Sequence, residues 1–535
     1  MALRISNLLV PLEEPEEALL PRLARLLGVP GSTPLHYRIL RKALDARDAR
    51  ALRHVYTVEV HLPDDPDTVR KLQARQRSGP VRIDRYEEEP FVLPVTGTNP
   101  LPHRPIVIGS GPGGLAAAYF LAEQGYQPLV LERGRRVSER IRDVRAFDEG
   151  GPHDPESNYL FGEGGAGTFS DGKLTYRGSG PDVRRILELF AECKGKPSIL
   201  YEARPHLGSN RLPAVVKAMR QRIEALGGEV RFSCRVEDLD LSEGQLRGLM
   251  TSSGYITASV AILAIGHSAR DTYAMLLRRG IPMERKPFQM GVRIEQPQET
   301  VNRVHYGEDR LEERLGAASY SLVANGPHDL FTFCMCAGGY IMPSVSDPGY
   351  FCTNGMSLSK HDSPYANSGL VVTVPLEEFD GTDVLAGVRL QERFERRAFE
   401  LGRGEYACPI QRAGDFLAGR VSDGTIASSY PRALIAARME EVVPPFIAET
   451  LRHGLPLMDR RWKGKFLAEA TLVGPEARGS APVRLLRDET TRESPGLAGI
   501  YPVGEGAGYA GGIISAAVDG LRSVRAILQH YARPG

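Results

Sequence analysis

Three glycines, Gly109, Gly111 and Gly114, stand at the spacing G-x-G-x-x-G directly after the apolar run IVI at 106–108. A turn of this kind brings backbone against a pyrophosphate. Gly109 permits the tight turn, Gly111 leaves room for the phosphates, and Gly114 lets the next helix pack close to the strand. Pro112 and Gly113 lie within the turn. The helix that follows, LAAAYFLAEQG, aims its positive end at the phosphates. The next strand, QPLVLE, ends on Glu132, about 20 residues on, where an acid suits the hydroxyls of an adenosine ribose. Arg133 follows it, placed for the adenine or the phosphates. The glycines alone are a weak sign. With a strand before, a helix after and an acid closing the next strand, dinucleotide binding is the expectation.

Other residue types could carry chemistry elsewhere. Cys334 and Cys336 form C-x-C around Met335. A redox pair here would need a short, strained disulfide. A metal site would need further ligands, which the sequence does not space. The expectation is therefore buried, reduced cysteines in an apolar strand, and no metal. His361, in SLSKHDSPYANSG, lies between Lys360 and Asp362. It is either a proton donor or a surface-loop histidine. His267, after the apolar strand VAILAIG, is expected to be structural. Arg478 and Arg484 either clamp a substrate carboxylate or phosphate or are plain surface arginines.

These residues need several elements to position them. A chain of 535 residues exceeds one core. Apolar residues at 42% and charged residues at 25% are ordinary for a globular protein. A net charge of +1 gives no strong attraction to nucleic acid or anionic membrane. No apolar run reaches about 18 residues, so no spanning helix is expected. The N-terminal MALRISNLLVPLEEPEEALL lacks the pattern of an export signal, and six cysteines make no disulfide framework in a chain this long. A cytoplasmic location is expected.

Residues 1–95 read as a small α+β, ferredoxin-like domain. Within it EEALLPRLARLLGV has helical spacing. VYTVEVHL alternates, with Tyr56, Val58, Val60 and Leu62 on one face; YRILRKALDARDARALR is open between a helix and a hairpin strand, with a hairpin turning near DARDAR the favoured reading. A proline-rich linker at 96–104 leads to an α/β Rossmann-type domain at 105–270. Residues 271–480 read as an inserted mixed α+β substrate or cap domain, and 481–535 complete the Rossmann domain.

Three later segments separate FAD from NAD. RVEDLDL, containing Val236, precedes a strand ending at Gly266. This pattern is familiar beside the adenine half of FAD. IYPVGEGAGYAGGIISAAVDG places Gly504 and Glu505 at a strand end and Gly511 and Gly512 at a helix start, Ile513. It resembles flavoproteins of the glutathione-reductase and fumarate-reductase type. There a Gly-Asp pair bonds the ribityl or pyrophosphate and the helix points at the pyrimidine ring; here Glu505 replaces the aspartate. FGEGGAGTFSDGKLTYR resembles the loop that runs past the pyrophosphate onto the flavin. The resemblance implies close backbone approach at Gly164, Gly165 and Gly167, with Thr168, Ser170, Asp171 and Lys173 facing flavin or substrate. Lys173 and Asp171 thus join His361 as catalytic candidates, with a plain Asp171–Lys173 surface pair as the alternative.

Further segments, LDARDARALRHVYTVEV, FTFCMCAGGYIMPSVS and TNGMSLSKHDSPYANSGLVVTV among them, resemble an uncharacterised bacterial family of FAD-dependent dehydrogenases. The resemblance spans most of the chain and carries no settled substrate; CMCAGG stands where that family has CMCPGG. It implies non-covalent FAD and an oxidoreductase acting on an unidentified small molecule through flavin N5. No second G-x-G-x-x-G follows a strand, so NAD(P)H would be a transient donor, and a protein or quinone partner stays open. Two other readings remain. One is an RNA-modifying flavoenzyme using Arg38, Arg41, Lys42, Arg47, Arg50 and Arg53. The other is a flavin-bound sensor without turnover. Acidic residues between those arginines and in PDDPD favour a solvated face over an RNA site. Oligomeric state is not legible.

Overall fold

A computed structural model describes residues 2–29, 35–48, 51–62, 72, 79–307 and 312–534. The N-terminal unit is an antiparallel sheet in the order His36–Asp45, Arg53–His61, Ala2–Pro11, Arg82–Arg85. Alternation does the sorting: Tyr56, Val58 and Val60 are buried, and His61 is exposed. The helix Leu19–Leu27 covers that face with Leu19, Leu23 and Leu27, spaced one helical turn apart. It ends at Gly28 in the left-handed conformation, φ 68°. The hairpin read around DARDAR is present as the first two strands of that order, although 49–50 lie outside the described residues. Three of the basic residues named for an RNA site are drawn into ion pairs: Arg38 with Glu59 and Glu88, Lys42 with Glu16, and Arg47 with Asp45. Arg50 and the PDDPD segment lie outside the described residues.

A five-stranded parallel sheet forms the centre, in the order Ile500–Pro502, Ala261–Leu263, Ile106–Ile108, Leu129–Leu131, Glu229–Arg231. Its strands come from three distant stretches of chain. The three inner strands and the edge strand Ile500–Pro502 are buried along their whole length, as parallel strands covered on both faces require. The helix Pro112–Glu123 is buried from Gly113 to Ala122. It packs on the long helix Ile513–His530 at a small-residue contact: a Cβ on Gly520 would stand 2.2 Å from the Gly113 carbonyl oxygen. The linker lies along that long helix, with Gly97 N donating to Leu528 O at 2.7 Å.

The third body is a seven-stranded sheet between 288 and 476, centred on Phe288–Pro297, Tyr365–Val374 and Thr471–Glu476. Its neighbours are antiparallel except Cys408–Arg412 with Leu434–Ala436. A two-stranded ribbon, Gly339–Pro343 with Thr353–Ser357, stands beside it. Among the described residues no helix is long and apolar enough to cross a membrane.

Candidate active site

A cleft of about 420 Å³ opens where the parallel strands end. Ile108, Leu131, Ala264 and Val503, at or just past the carboxyl ends of four strands, line its floor. Open α/β sheets place ligands at this edge.

One end is made of backbone. Gly109 has φ 102°, and a Cβ there would stand 2.3 Å from Ala264 O. Only glycine makes this turn. Gly114 is a packing residue: its Cβ would fall 2.0 Å from Gly109 O. Gly111 differs from both. A Cβ on it meets no protein atom within 4 Å and would point into the cleft. The same holds for Gly266 and Gly511. The cradle is thus sized for backbone against a ligand, and it suits the pyrophosphate and ribityl chain of FAD. The helices beginning at Pro112 and Ile513 both start at this wall.

Glu132 is buried at the rim. One of its oxygens accepts from Ser110 N at 2.9 Å and Ser110 Oγ at 2.7 Å. The other accepts from Gly134 N at 2.9 Å and Gly162 N at 3.0 Å. Glu132 therefore first ties the glycine turn to the 162 loop, and a ribose hydroxyl would share an oxygen already in use. Arg133 lines the cleft with its guanidinium 4.1 Å over the Phe161 ring and paired to Glu156 and Asp271. Val236, Pro112, Gly113, Gly165, Gly167, Ser170, Gly504, Glu505, Gly512 and Ile513 also line it. Burial pushes Glu505 up to about 7, against the pull of Lys286.

Gly164 and Thr168 lie outside the cleft wall. Gly164 N donates to Ser110 O and Thr168 Oγ1 to Glu163 O, so both brace the loop from behind. Arg140, fully buried, carries that loop. Its guanidinium donates to the carbonyls of Asn158, Tyr159, Gly162 and Glu163 at 2.8–3.3 Å.

The other end is made of side chains. Lys173 and Asp171 line it and pair at 2.8 Å. The Lys173 ammonium also donates to Met335 O. Burial opposes both charges. Mutual attraction nevertheless holds Lys173 above its usual range and Asp171 below its own, with His206 helping the latter. Cys334 and Asn354 face the same space from the seven-stranded sheet and the ribbon.

His361 is not at the cleft, which corrects its expected place near the flavin. Its backbone turns back at φ 54° and its Nδ1 lies 2.8 Å from Ala337 O. Its ring rests 4.0 Å from that of His206. Ser357 Oγ donates to Asp171 at 2.5 Å, so its oxygen accepts from His206 Nε2 at 3.0 Å. Ser357 and Asp171 thus stand between the two histidines and the cleft. No sequence signal marked His206 or Ser357, because nothing local joins 206 to 357.

Arg478 reaches the cleft, but its guanidinium is committed to buried Glu395, at 2.7 and 2.9 Å, together with Arg270. Arg484 pairs with Glu284 at the surface. His267 lines the rim, and burial with the charges of Arg478 and Arg270 pulls it down to about 4. Neither arginine is free to clamp a substrate.

Comparison with known proteins fits this geometry. Residues 287–479 match the family described as FAD-dependent protein, C-terminal domain-like. Residues 107–168 match the NAD(P)-binding Rossmann-like domain, and 2–61 match a domain of unknown function. An uncharacterized protein of Clostridium beijerinckii is 38% identical over 539 residues, 100% of each chain. An L-amino-acid oxidase of Sistrurus catenatus edwardsii is 47% identical over 47 residues, 9% of each chain. Among solved structures, L-proline dehydrogenase from P. horikoshii aligns over 81% of this chain and 94% of its own, at 11% identity and TM-score 0.36. Glycine oxidase from Bacillus cereus aligns over 79% and 95%, at 11% identity and TM-score 0.33. Likenesses so distant carry no weight here; the end-to-end relative and the domain matches do. The chain belongs with that clostridial protein to a family of FAD-dependent oxidoreductases.

Proposed function

We propose that this oxidoreductase passes an electron pair between FAD and a small molecule that enters the side-chain end of the cleft. The observation that carries this reading is convergence. A backbone cradle built from 109–114 and 504–513 opens onto Lys173, Asp171, Cys334 and Asn354, which come from distant segments. When bound, FAD supplies two-electron chemistry at N5. The chain supplies position and field. Gly109, Gly111, Gly113, Gly511 and Gly512 hold the cofactor's chain, and Glu505 reaches its hydroxyls. The start of the helix Ile513–His530 favours negative charge on whatever lies against it.

Lys173, kept protonated by Asp171, acts as a fixed positive charge and not as a proton donor at neutral pH. Asp171 holds that ammonium, and Ser357 and His206 hold Asp171. His361 then belongs to the outer end of this chain of polar groups. A nicotinamide donor would bind transiently, since the described residues offer one glycine cradle of this spacing; a protein or a quinone is the alternative. We also read 1–95 as a ferredoxin-like unit and 271–480 as an inserted cap. The all-antiparallel order of the first sheet and the seven strands between the Rossmann halves support this. Cytoplasmic residence belongs to the same reading.

Anaerobic mixing of the yellow protein with NADH or NADPH tests it. Bleaching of the flavin band within seconds is expected. A flavin that only dithionite reduces would contradict the nicotinamide donor and point to reduction by the substrate or a protein. A protein that takes up no FAD would overturn the reading.

A further inference from the structure

We propose that Cys334 and Cys336 are a redox couple, closing to a disulfide and reopening as two electrons pass between them and the FAD of the same cleft. The inference rests on the reading of the cleft given above.

The backbone makes the pairing feasible. In a regular strand, alternate Cα atoms stand about 6.6 Å apart. That is the long end of the span a disulfide bridges. The strand Leu330–Cys336 is not regular at this point. Phe333 pairs with Gly369 and Cys336 with Asn367, so a bulge falls between them, and Cys334 takes φ 46°. For a non-glycine residue this is an uncommon conformation, and bulges beside reactive sites re-aim side chains. The result folds Cys336 back on Cys334: its Sγ donates to Cys334 O at 3.2 Å.

The surroundings make the two sulfurs unequal. Cys334 lines the cleft, whereas Cys336 is fully buried behind it. The Lys173 ammonium donates to the carbonyl of the intervening Met335. Buried Arg293 donates to Cys334 O at 3.0 Å and lies 3.9 Å from Cys336 Sγ. The nearness of Cys336 and the charge of Lys173 draw the Cys334 thiol below its ordinary range, and burial drives Cys336 well above. A thiolate at 334 with a protonated neighbour is the arrangement that attacks or leaves in disulfide chemistry. Cys352, by contrast, is pushed up to about 12 by burial and faces no cleft.

From the Cys334 thiolate, closing breaks the S–H bond of Cys336 and forms one S–S bond. Two electrons and that proton pass to oxidised FAD, leaving its two-electron-reduced anion. Reopening reverses each change.

The test uses the holoprotein. It is oxidised with ferricyanide and titrated without oxygen with dithionite, while the flavin band is followed. Oxidised and reduced samples are then unfolded in acid, alkylated and digested. Wild type is expected to take up two two-electron equivalents per FAD. Its 334–336 peptide is expected to be alkylated twice when reduced, and to be unalkylated and lighter by two hydrogens when oxidised. Cys334→Ser is expected to take up one equivalent and Cys352→Ser two. Yellow wild-type protein that bleaches at one equivalent, with the peptide alkylated twice after ferricyanide, would overturn the couple and leave the FAD reading intact. Protein without a flavin band would overturn both.

Discussion

The two ends of the cleft are built from opposite materials. The glycine end is backbone: its selectivity lies in the missing Cβ atoms of Gly109, Gly111 and Gly511, and its glycine turn is contiguous in sequence. The far end is side chain: Lys173, Asp171, Cys334 and Asn354 meet only because the 171–173 loop, the seven-stranded sheet and the ribbon converge. A backbone cradle fixes shape and tolerates little change. A set of paired charges fixes a potential and can be tuned without losing the cofactor. Holding FAD and setting its chemistry are therefore separable in this molecule.

Substitutions at the glycine end should divide sharply. Gly114→Ala drives a Cβ into Gly109 O, a backbone atom. It should cost roughly 4 kcal/mol or more and yield little folded protein, as read by chemical unfolding. Arg140→Met takes the guanidinium from four buried carbonyls; Gly162 O keeps Gly165 N and Glu163 O keeps Thr168 Oγ1, but those of Asn158 and Tyr159 lose their donor. It should cost roughly 3 kcal/mol and release FAD through collapse of the 158–163 loop, read by thermal unfolding with and without added FAD. Gly111→Val meets open space, so the fold should survive while FAD affinity falls about 100-fold, roughly 3 kcal/mol, by fluorescence titration. Equal loss of fold in Gly111→Val and Gly114→Ala would break the distinction between cradle and packing glycines.

A smaller effect concerns pH. Buried Glu395 has a carboxyl held at about 2, below its ordinary 4.5, because Arg270 and Arg478 outweigh the cost of burial. Its folded value is the lower one, so its stabilisation is present above about 4.5 and fades as pH falls toward 2. Between pH 5 and pH 3 this one group should account for about 2 kcal/mol. Urea unfolding of wild type and Glu395→Gln at both values should show the gap between them narrowing by that amount at the acid end.

The sequence made one end legible and not the other, for a physical reason. Strand, glycine turn, helix and acid are local, so 106–134 announced the cradle, and the three flavin-type segments around Val236, Gly165 and Gly504 all reach the cleft. The alternation of VYTVEVHL and the heptad-like spacing of 19–27 likewise gave the first sheet and its helix. The far end depends on tertiary convergence. His361 carried a plausible local pattern, yet its loop turns it away onto His206. Gly164 and Thr168 sat in the right loop, but on its outer side. Cys334 looked like an ordinary strand cysteine, because a bulge and a positive φ leave no mark in composition. Glu132 was found, but its four backbone and hydroxyl donors were not visible from the residue alone.

The separation of holding from tuning is tested most directly by the two-electron midpoint potential of FAD in Lys173→Met, measured beside wild type by dye-equilibrated titration. The account predicts one FAD per chain in both proteins and a potential more negative in the variant by roughly 30 mV or more, since a positive charge facing the cofactor has been removed. An unchanged potential with FAD still bound, or loss of FAD altogether, would contradict it.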